Sequence, residues 1–401
     1  MIPVAEAQAR VLAAFAPGPV EWVMLDRALD RILAEPLSAR HDQPPQAVSA
    51  MDGYAVRSAD TVTGRPPLRL VGEAPAGKPW AGSLGAGDTV AIYTGSVIPD
   101  GADAVLIKEN ARPEGNAVHA LEPVTAGRHI RAAGQDFARG WTGLQPGTLL
   151  GPLQLGLAAA MGHGWLPVRR RPRVGLLATG DELRRPGEPL APGQIVSSNT
   201  TTVGALVKRW GGEPVDLGIV LDHPDALAAA LDQARGLDLL VTIGGASVGA
   251  YDLVRAALDR QGMQLDFWQI AMRPGKPLAF GRLGSIPVLG LPGNPVSAAV
   301  CSILFLRGAL RRSLALDPAV PAGKATLAVP MEANDRRQDY VRGRFVDIAA
   351  GDRRIAVAAR QDSAMLSALA LGDVLVVRPP FAEAVPAGAE VEVIALADVV
   401  C

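Results

Sequence analysis

The sequence predicts an α/β multidomain protein, and three patterns along its 401 residues carry that prediction. Residues 171–316 alternate apolar strand-like runs with helical periodicity, the order of a three-layer α/β domain with a mostly parallel sheet. Residues 41–136 break into short apolar runs punctuated by Gly and Pro, a β-rich domain inserted into a helical stem formed by 1–40 and 137–170. Residues 317–401 return to short alternating runs, read as a small C-terminal all-β, barrel-like domain.

In the stem, "VAEAQARVLAAF" and "LDRALDRILAEPL" space apolar side chains three and four apart, the helical period, and "LQLGLAAAMG" does so in its second half. The inserted domain offers "LRLVG", "TVAIYTG" and "AVLIKEN" as strands. In the α/β domain "RVGLLAT" is a strand and "TTVGALVKRWGG" a helix with a glycine stop. "EPVDLGIV" is a second strand, and "HPDALAAALDQARG" a helix with Pro224 near its start and Gly236 after its end. "LDLLVTIGG" is a third strand, "YDLVRAALDRQG" a third helix, and "PVSAAVCSILFLRGALRR" a long closing helix. The C-terminal strands are "ATLAVPM", "YVRGRFVDI", "RRIAVAAR", "DVLVVRP" and "AEVEVIAL".

Composition excludes more than it identifies. A chain 49% hydrophobic and 20% charged is that of a soluble globular protein. The formal net charge of −1 and 4% aromatic content give neither a cationic face nor a base-stacking platform for nucleic acid. Cys301 and Cys401 give no disulfide framework and no metal spacing, and Cys301 falls in an apolar run as a buried inert thiol. The N-terminal segment carries glutamate and arginine in a helical pattern, unlike a signal peptide, and no window of 18 apolar residues spans a membrane. The expected compartment is the cytoplasm.

Chemistry concentrates between Arg173 and Ser297, where apolar runs end in Gly and small polar residues. Parallel strands deliver loops to a crevice in this way. "TGDE" holds Thr179, Gly180, Asp181 and Glu182; the acids stand at a strand's carboxyl end, and a helix cap is the competing reading. Asp222 ends "LGIVLD" similarly. "GGASVG" brings Gly244, Gly245, Ser247 and Gly249 to a strand end before Asp252, a backbone cradle for phosphate or else a tight turn. "RPGKP" fixes Arg273, Pro274 and Lys276 for an oxyanion, and "LPGNP" stiffens Pro292, Gly293, Asn294 and Pro295 beside it. Anion-binding donors and carboxylates in one crevice conflict unless a divalent cation lies between them, and Mg²⁺ fits.

"SAMDGYAV", "YTGSVIPDGADAVL", "TGDEL", "GGASVGAYD", "RPGKP", "LPGNPVSA" and "YVRG" occur in the order found in the molybdopterin molybdenumtransferases. The chain resembles this MoeA family, related to the gephyrin E domain, along essentially its whole length. The resemblance implies insertion of molybdenum from molybdate into adenylylated molybdopterin, with Mg²⁺, releasing AMP and the molybdenum cofactor. It implies a homodimer with the active site shared between subunits, and transient contact with the molybdopterin adenylyltransferase. Asp52, Glu182, Asp222, Asp252 and Lys276 match the catalytic positions, with Glu182, Asp222 and Asp252 holding Mg²⁺. Thr94 and Asp136 match further polar site residues, and Arg342, Ser363 and Ser367 match C-terminal residues that approach the oxyanion site.

Three positions depart from the family pattern. Gln135 and Ser197 stand where acids are common, so neither takes a metal role, and Arg273 stands where lysine is frequent. Arginine keeps the charge but changes the donor geometry. Two rivals are weaker. An adenylyltransferase needs none of residues 1–170 or 317–401, and a non-enzymatic scaffold has no long linker or second module here.

Overall fold

The computed structural model describes residues 1–221, 223–244, 262–349 and 351–400. The fold is mixed α/β, with several sheets and few helices, in two compact units. One unit combines Met1–Glu21 with the chain from Arg169 onward; the other is Trp22–Val168.

The first unit opens with α1 (Val4–Ala13). Its main sheet uses β1 (Arg173–Thr179), β2 (Glu213–Val220), β3 (Leu239–Gly244), β4 (Met263–Phe267), β5 (Ala279–Leu283) and β6 (Ile286–Leu291). The spatial order is β2-β1-β3-β6-β5-β4. The first four run parallel, and β5 and β4 close the edge antiparallel. Successive side chains face opposite sides of a strand, so Leu176, Val241 and Leu289 enter one apolar cluster while Leu177, Leu240 and Val288 enter another. Helix α2 (Asn199–Arg209) buries Val203, Leu206 and Val207, a stripe at helical spacing, in the first cluster, which also takes Val4, Ala7 and Val11 of α1. Helix α3 (Pro224–Asp232) sends Leu227, Ala230 and Leu231 into the second. The helix expected over "YDLVRAALDRQG" lies outside the described residues.

The closing helix is not uniform. α4 (Pro295–Cys301) passes through a π-helical turn at Ser302–Leu306 into α5 (Arg307–Ser313). Ser302 Oγ donates to Ala298 O at 2.8 Å, the kind of back-bond that distorts a helix.

After it, β7 (Gly323–Thr326), β8 (Gln338–Ala349), β9 (Asp352–Val357), β10 (Val374–Arg378) and β11 (Glu390–Ala395) form a second sheet, with a short helix α6 (Leu366–Ala370) between β9 and β10. Its order is Met272–Arg273, β8, β10, β11, β7, with β9 also on β8. The pair Met272–Arg273 therefore ties the loop after β4 to this sheet through Gln338 and Asp339.

The second unit contains a six-stranded sheet ordered Ala104–Ile107, Gly53–Val56, Asp88–Ile92, Leu68–Ala74, Ala117–Ala120, Ala111–Glu114. Here the helical reading of residues 14–40 is overturned. "LDRALDRILAEPL" forms only a 3-10 turn at Leu25–Arg27. Asp30 turns the backbone left-handed at φ 58°, and the N–H groups of Leu33 and Ala34 donate to Thr148 O and Pro167 O, each at 2.9 Å. Ala28, Leu33 and Leu37 are buried, but against Phe137, Leu150, Met161 and Leu166 rather than along a helix face. Long-range pairing overrides a local period too short to sustain a helix by itself.

Candidate active site

A cleft of about 890 Å³ opens at the carboxyl ends of β1, β3 and β6. This is where open α/β sheets bind ligands. Thr179 and Gly244 end their strands side by side on its floor. Gly244 has φ 113°, and a Cβ there would come 2.4 Å from Thr179 O, so only glycine lets the two strand ends lie this close. Thr179 is 2% exposed, and its hydroxyl oxygen is buried without a hydrogen-bond partner among the described residues. Glu182 folds back over the same turn, its carboxylate 2.5 Å from where a Cβ on Gly180 would stand. The carboxylate is exposed at the cleft.

The "LPGNP" wall is held from two sides. Asn199, which opens α2, donates through Nδ2 to Gly293 O at 2.7 Å. Asn294 Nδ2 donates to Ser363 Oγ at 2.8 Å, while Ser363 O accepts from Val296 N at 3.0 Å. Ser363 thus joins the loop after β6 to the segment after β9.

"RPGKP" forms the opposite wall. Its Arg273–Pro274 peptide is cis. Gly275 has φ 113°, and a Cβ there would meet Cys301 Sγ at 2.5 Å. Cys301 is fully buried, and burial pushes its thiol pKa up, leaving it inert as expected. Lys276 is exposed at the cleft and has no ion-pair partner among the described residues. Arg273 differs. Its Nε donates to Asp339 Oδ2 at 3.0 Å, Nη2 makes a shorter bond to the same oxygen, and Nη1 lies 3.5 Å from Asp335 Oδ2. Asp335 is held down at about 2, first by the Arg337 side chain and backbone and last by Arg273.

Of the residues singled out from the sequence, Thr179, Glu182, Gly244, Arg273, Pro274, Lys276, Pro292, Gly293, Asn294, Pro295 and Ser363 line this cleft. Gly180 and Asp181 belong to its Thr179–Glu182 turn. Two of the expected residues, Arg342 and Ser367, do not line this cleft. Arg342 is 1% exposed and not on the cleft wall; it lies beneath residues 360–362, its Nη2 donating to Asp362 O at 3.2 Å and Arg360 O at 3.5 Å. Desolvation lowers its pKa, and its Nε has no partner among the described residues. Ser367 is exposed on α6. Asp222, Gly245, Ser247, Gly249 and Asp252 lie outside the described residues.

Asp52, Thr94 and Asp136 belong to the other unit. Asp52 Oδ1 accepts from Thr94 N at 2.8 Å and Thr94 Oγ1 at 2.9 Å, with Lys108 Nζ 4.0 Å from Oδ2. These bonds, Thr94's backbone N–H first, hold its carboxyl below the ordinary range. Asp136 is exposed there, its N–H donating to Gln43 O at 2.9 Å.

Sequence reading missed Ser198, Asn199 and Ser297, all on the cleft. Ser198-Asn199 ahead of an apolar helical period was a legible helix-start signal, and Ser297 stood unchosen within "LPGNPVSA".

The fold and site define a multidomain α/β protein with a loop-lined cleft suited to an anionic ligand. Family models match nearly end to end: "MoeA N-terminal region (domain I and II)" over residues 2–162, "Probable molybdopterin binding domain" over 175–312, and "MoeA C-terminal region (domain IV)" over 324–396. The molybdopterin molybdenumtransferase of Haemophilus influenzae is 39% identical over 289 residues, 71% of this chain and 70% of that protein. Molybdopterin molybdenumtransferase 2 of Mycobacterium tuberculosis is 37% identical over 340 residues, 82% of this chain and 84% of that protein. A crystal structure of the molybdopterin biosynthesis MoeA protein from Pyrococcus horikoshii, 28% identical, matches with a TM-score of 0.86 over 98% of this chain and 99% of that one. The chain belongs to the MoeA family of molybdopterin molybdenumtransferases, enzymes of molybdenum cofactor biosynthesis.

Proposed function

We propose that this chain transfers molybdenum from molybdate into adenylylated molybdopterin, releasing AMP and the molybdenum cofactor. One observation carries the reading: the Lys276 ammonium, without an ion-pair partner among the described residues, and the Glu182 carboxylate line one cleft at the strand ends. Lys276 meets the molybdate oxyanion, assisted by hydroxyls of Ser297 and Ser363 on the same walls. The Thr179 hydroxyl, buried and without a partner among the described residues, donates to the pterin phosphate at the floor. The stiff "LPGNP" backbone, clamped by Asn199 and Ser363, orients the substrate with little loss of entropy. Catalysis is positioning and charge neutralisation.

Mg²⁺ fits this donor set sparingly. Among the described residues no three metal-ligating side chains cluster; Glu182 would be one ligand, with Asp222 and Asp252 assigned as further ligands on the resemblance alone, beside substrate phosphate and water. Bound there, Mg²⁺ would neutralise pyrophosphate charge.

The remaining assignments stand on the same footing. The chain acts in the cytoplasm as a homodimer, one subunit's Asp52, Thr94 and Asp136 completing the partner's site, and it meets the molybdopterin adenylyltransferase transiently. The division proposed is 1–40 with 137–170, 41–136, 171–316 and 317–401; the matched spans 2–162, 175–312 and 324–396 bear only on its last two boundaries, and α1 packs in the core of the α/β sheet. The purified chain incubated with adenylylated molybdopterin, molybdate and Mg²⁺ should release AMP in step with cofactor formation. Absence of AMP release from folded protein sinks the proposal.

A further inference from the structure

Arg273 and Lys276 stand three residues apart and both line the cleft, yet among the described residues only Arg273 has ion-pair partners. Two of the acceptor residues around Arg273, Asn334 and Asp335, are fixed by other bonds. Asn334 Nδ2 donates to the carbonyls of Arg337, Arg378 and Pro379 at 2.8, 3.0 and 2.8 Å. Asp335 is gripped by Arg337 Nη2 at 2.8 Å and by the Arg337 N–H at 2.8 Å. Asp339, 6% exposed, sits in β8 directly opposite Arg273 in the parallel pairing of Met272–Arg273 with Gln338–Asp339. The guanidinium fork enters this frame with Nε and Nη2 on Asp339, Nη2 3.4 Å from Asn334 Oδ1, and Nη1 towards Asp335. Turning it to a ligand would strand a buried carboxylate, and breaking a buried pair in this way is strongly unfavourable. A lysine ammonium is a point charge and does not fill such a fork. The backbone then carries the constraint onward, since Ile270 N donates to Lys276 O at 3.0 Å and Gln338 N donates to Ala271 O at 2.9 Å.

We propose that Arg273 and Asp339 are positioning residues that lock the Lys276 loop to the C-terminal sheet, and that Arg273 is not an anion ligand. This rests on the reading that Lys276 meets the oxyanion. The two roles for Arg273 predict opposite signs in one variant. Asp339→Asn removes a negative charge beside the cleft. If Arg273 were a ligand restrained by Asp339, the substitution would free it and tighten molybdate binding. If the pair positions Lys276, binding weakens although the cleft has become more positive.

The test uses the full chain in two measurements: hydrogen exchange of residues 270–278, followed by mass spectrometry, and calorimetric titration with molybdate. Asp339→Asn and Arg273→Lys should each speed exchange of that segment and leave β1 and β3 protected. Each should weaken molybdate binding about tenfold, the worth of one charge-assisted hydrogen bond. Tighter binding by Asp339→Asn, or unchanged exchange in both variants, overturns the proposal. If Asp339→Asn does not fold, Arg273→Lys decides alone, and wild-type exchange in it overturns the proposal. If the wild-type chain binds no molybdate, the oxyanion reading of the cleft fails, while the exchange measurement still decides whether the lock exists.

Discussion

Replacing Lys276 and Arg342 in turn with methionine separates two cations that family resemblance groups together. Lys276 is exposed and has no partner among the described residues, so its loss strands no carboxylate. Surface changes of that kind move stability by less than about 0.5 kcal/mol. Its effect falls on the ligand instead. A hydrogen bond to a charged group is worth about 1.5–3 kcal/mol, so half-maximal molybdate should rise about tenfold to a hundredfold. Arg342 is 1% exposed and donates to the carbonyls of residues 360 and 362. Arg342→Met fills the volume but leaves those carbonyls short of a donor, a cost of about 1–3 kcal/mol. Removing a desolvated cation offsets part of this. The assay is a molybdate titration of AMP release beside urea unfolding for both variants. Lys276→Met should shift the titration and leave the unfolding midpoint; Arg342→Met should shift the unfolding midpoint. An unchanged titration for Lys276→Met, or unchanged stability for Arg342→Met, refutes the assignment of roles.

Two further outcomes follow from the geometry. Gly244→Ala should destabilise the first unit by about 3 kcal/mol, combining a left-sided φ with a Cβ 2.4 Å from Thr179 O; a wild-type melting curve would show that β1 and β3 do not approach as described. Asp335 has a folded pKa of about 2 against 3.8 unfolded, so its contribution is complete above pH 4 and is lost as pH falls from about 4 to 2. Asp335→Asn should remove that part of the acid-unfolding curve and change nothing at pH 7 in the curve's slope; identical acid curves for variant and wild type would contradict it.

The strand-end loops were legible because parallel strands buried on both faces read as unbroken apolar runs, and what interrupts them is the loop itself. "RVGLLAT" and "LDLLVTIGG" announce the cleft floor in this way, and "LPGNP" announces its wall. Residues 25–37 misled because apolar spacing of three and four also arises when side chains reach a common core from irregular backbone. Ala28, Leu33 and Leu37 do so here. Asp52 and Thr94 were found by motif, yet their mutual hydrogen bonds span 42 positions of sequence and have no local signature.

Arg273 marks the boundary of what a motif conveys. "RPGKP" reads as two cations on a rigid loop, a reading that is sound locally, and nothing in "NDRRQD" (334–339) links that segment to it. Only the pairing of Met272–Arg273 with Gln338–Asp339 brings the two segments together and spends one cation on the acids of the other. A departure from lysine to arginine is conservative in charge, but here the second segment supplies an acceptor frame that a fork fills and an ammonium does not. The arginine at 273 is therefore intelligible only with Asn334, Asp335 and Asp339 in view, which leaves Lys276 as the cleft-lining lysine with no ion-pair partner among the described residues.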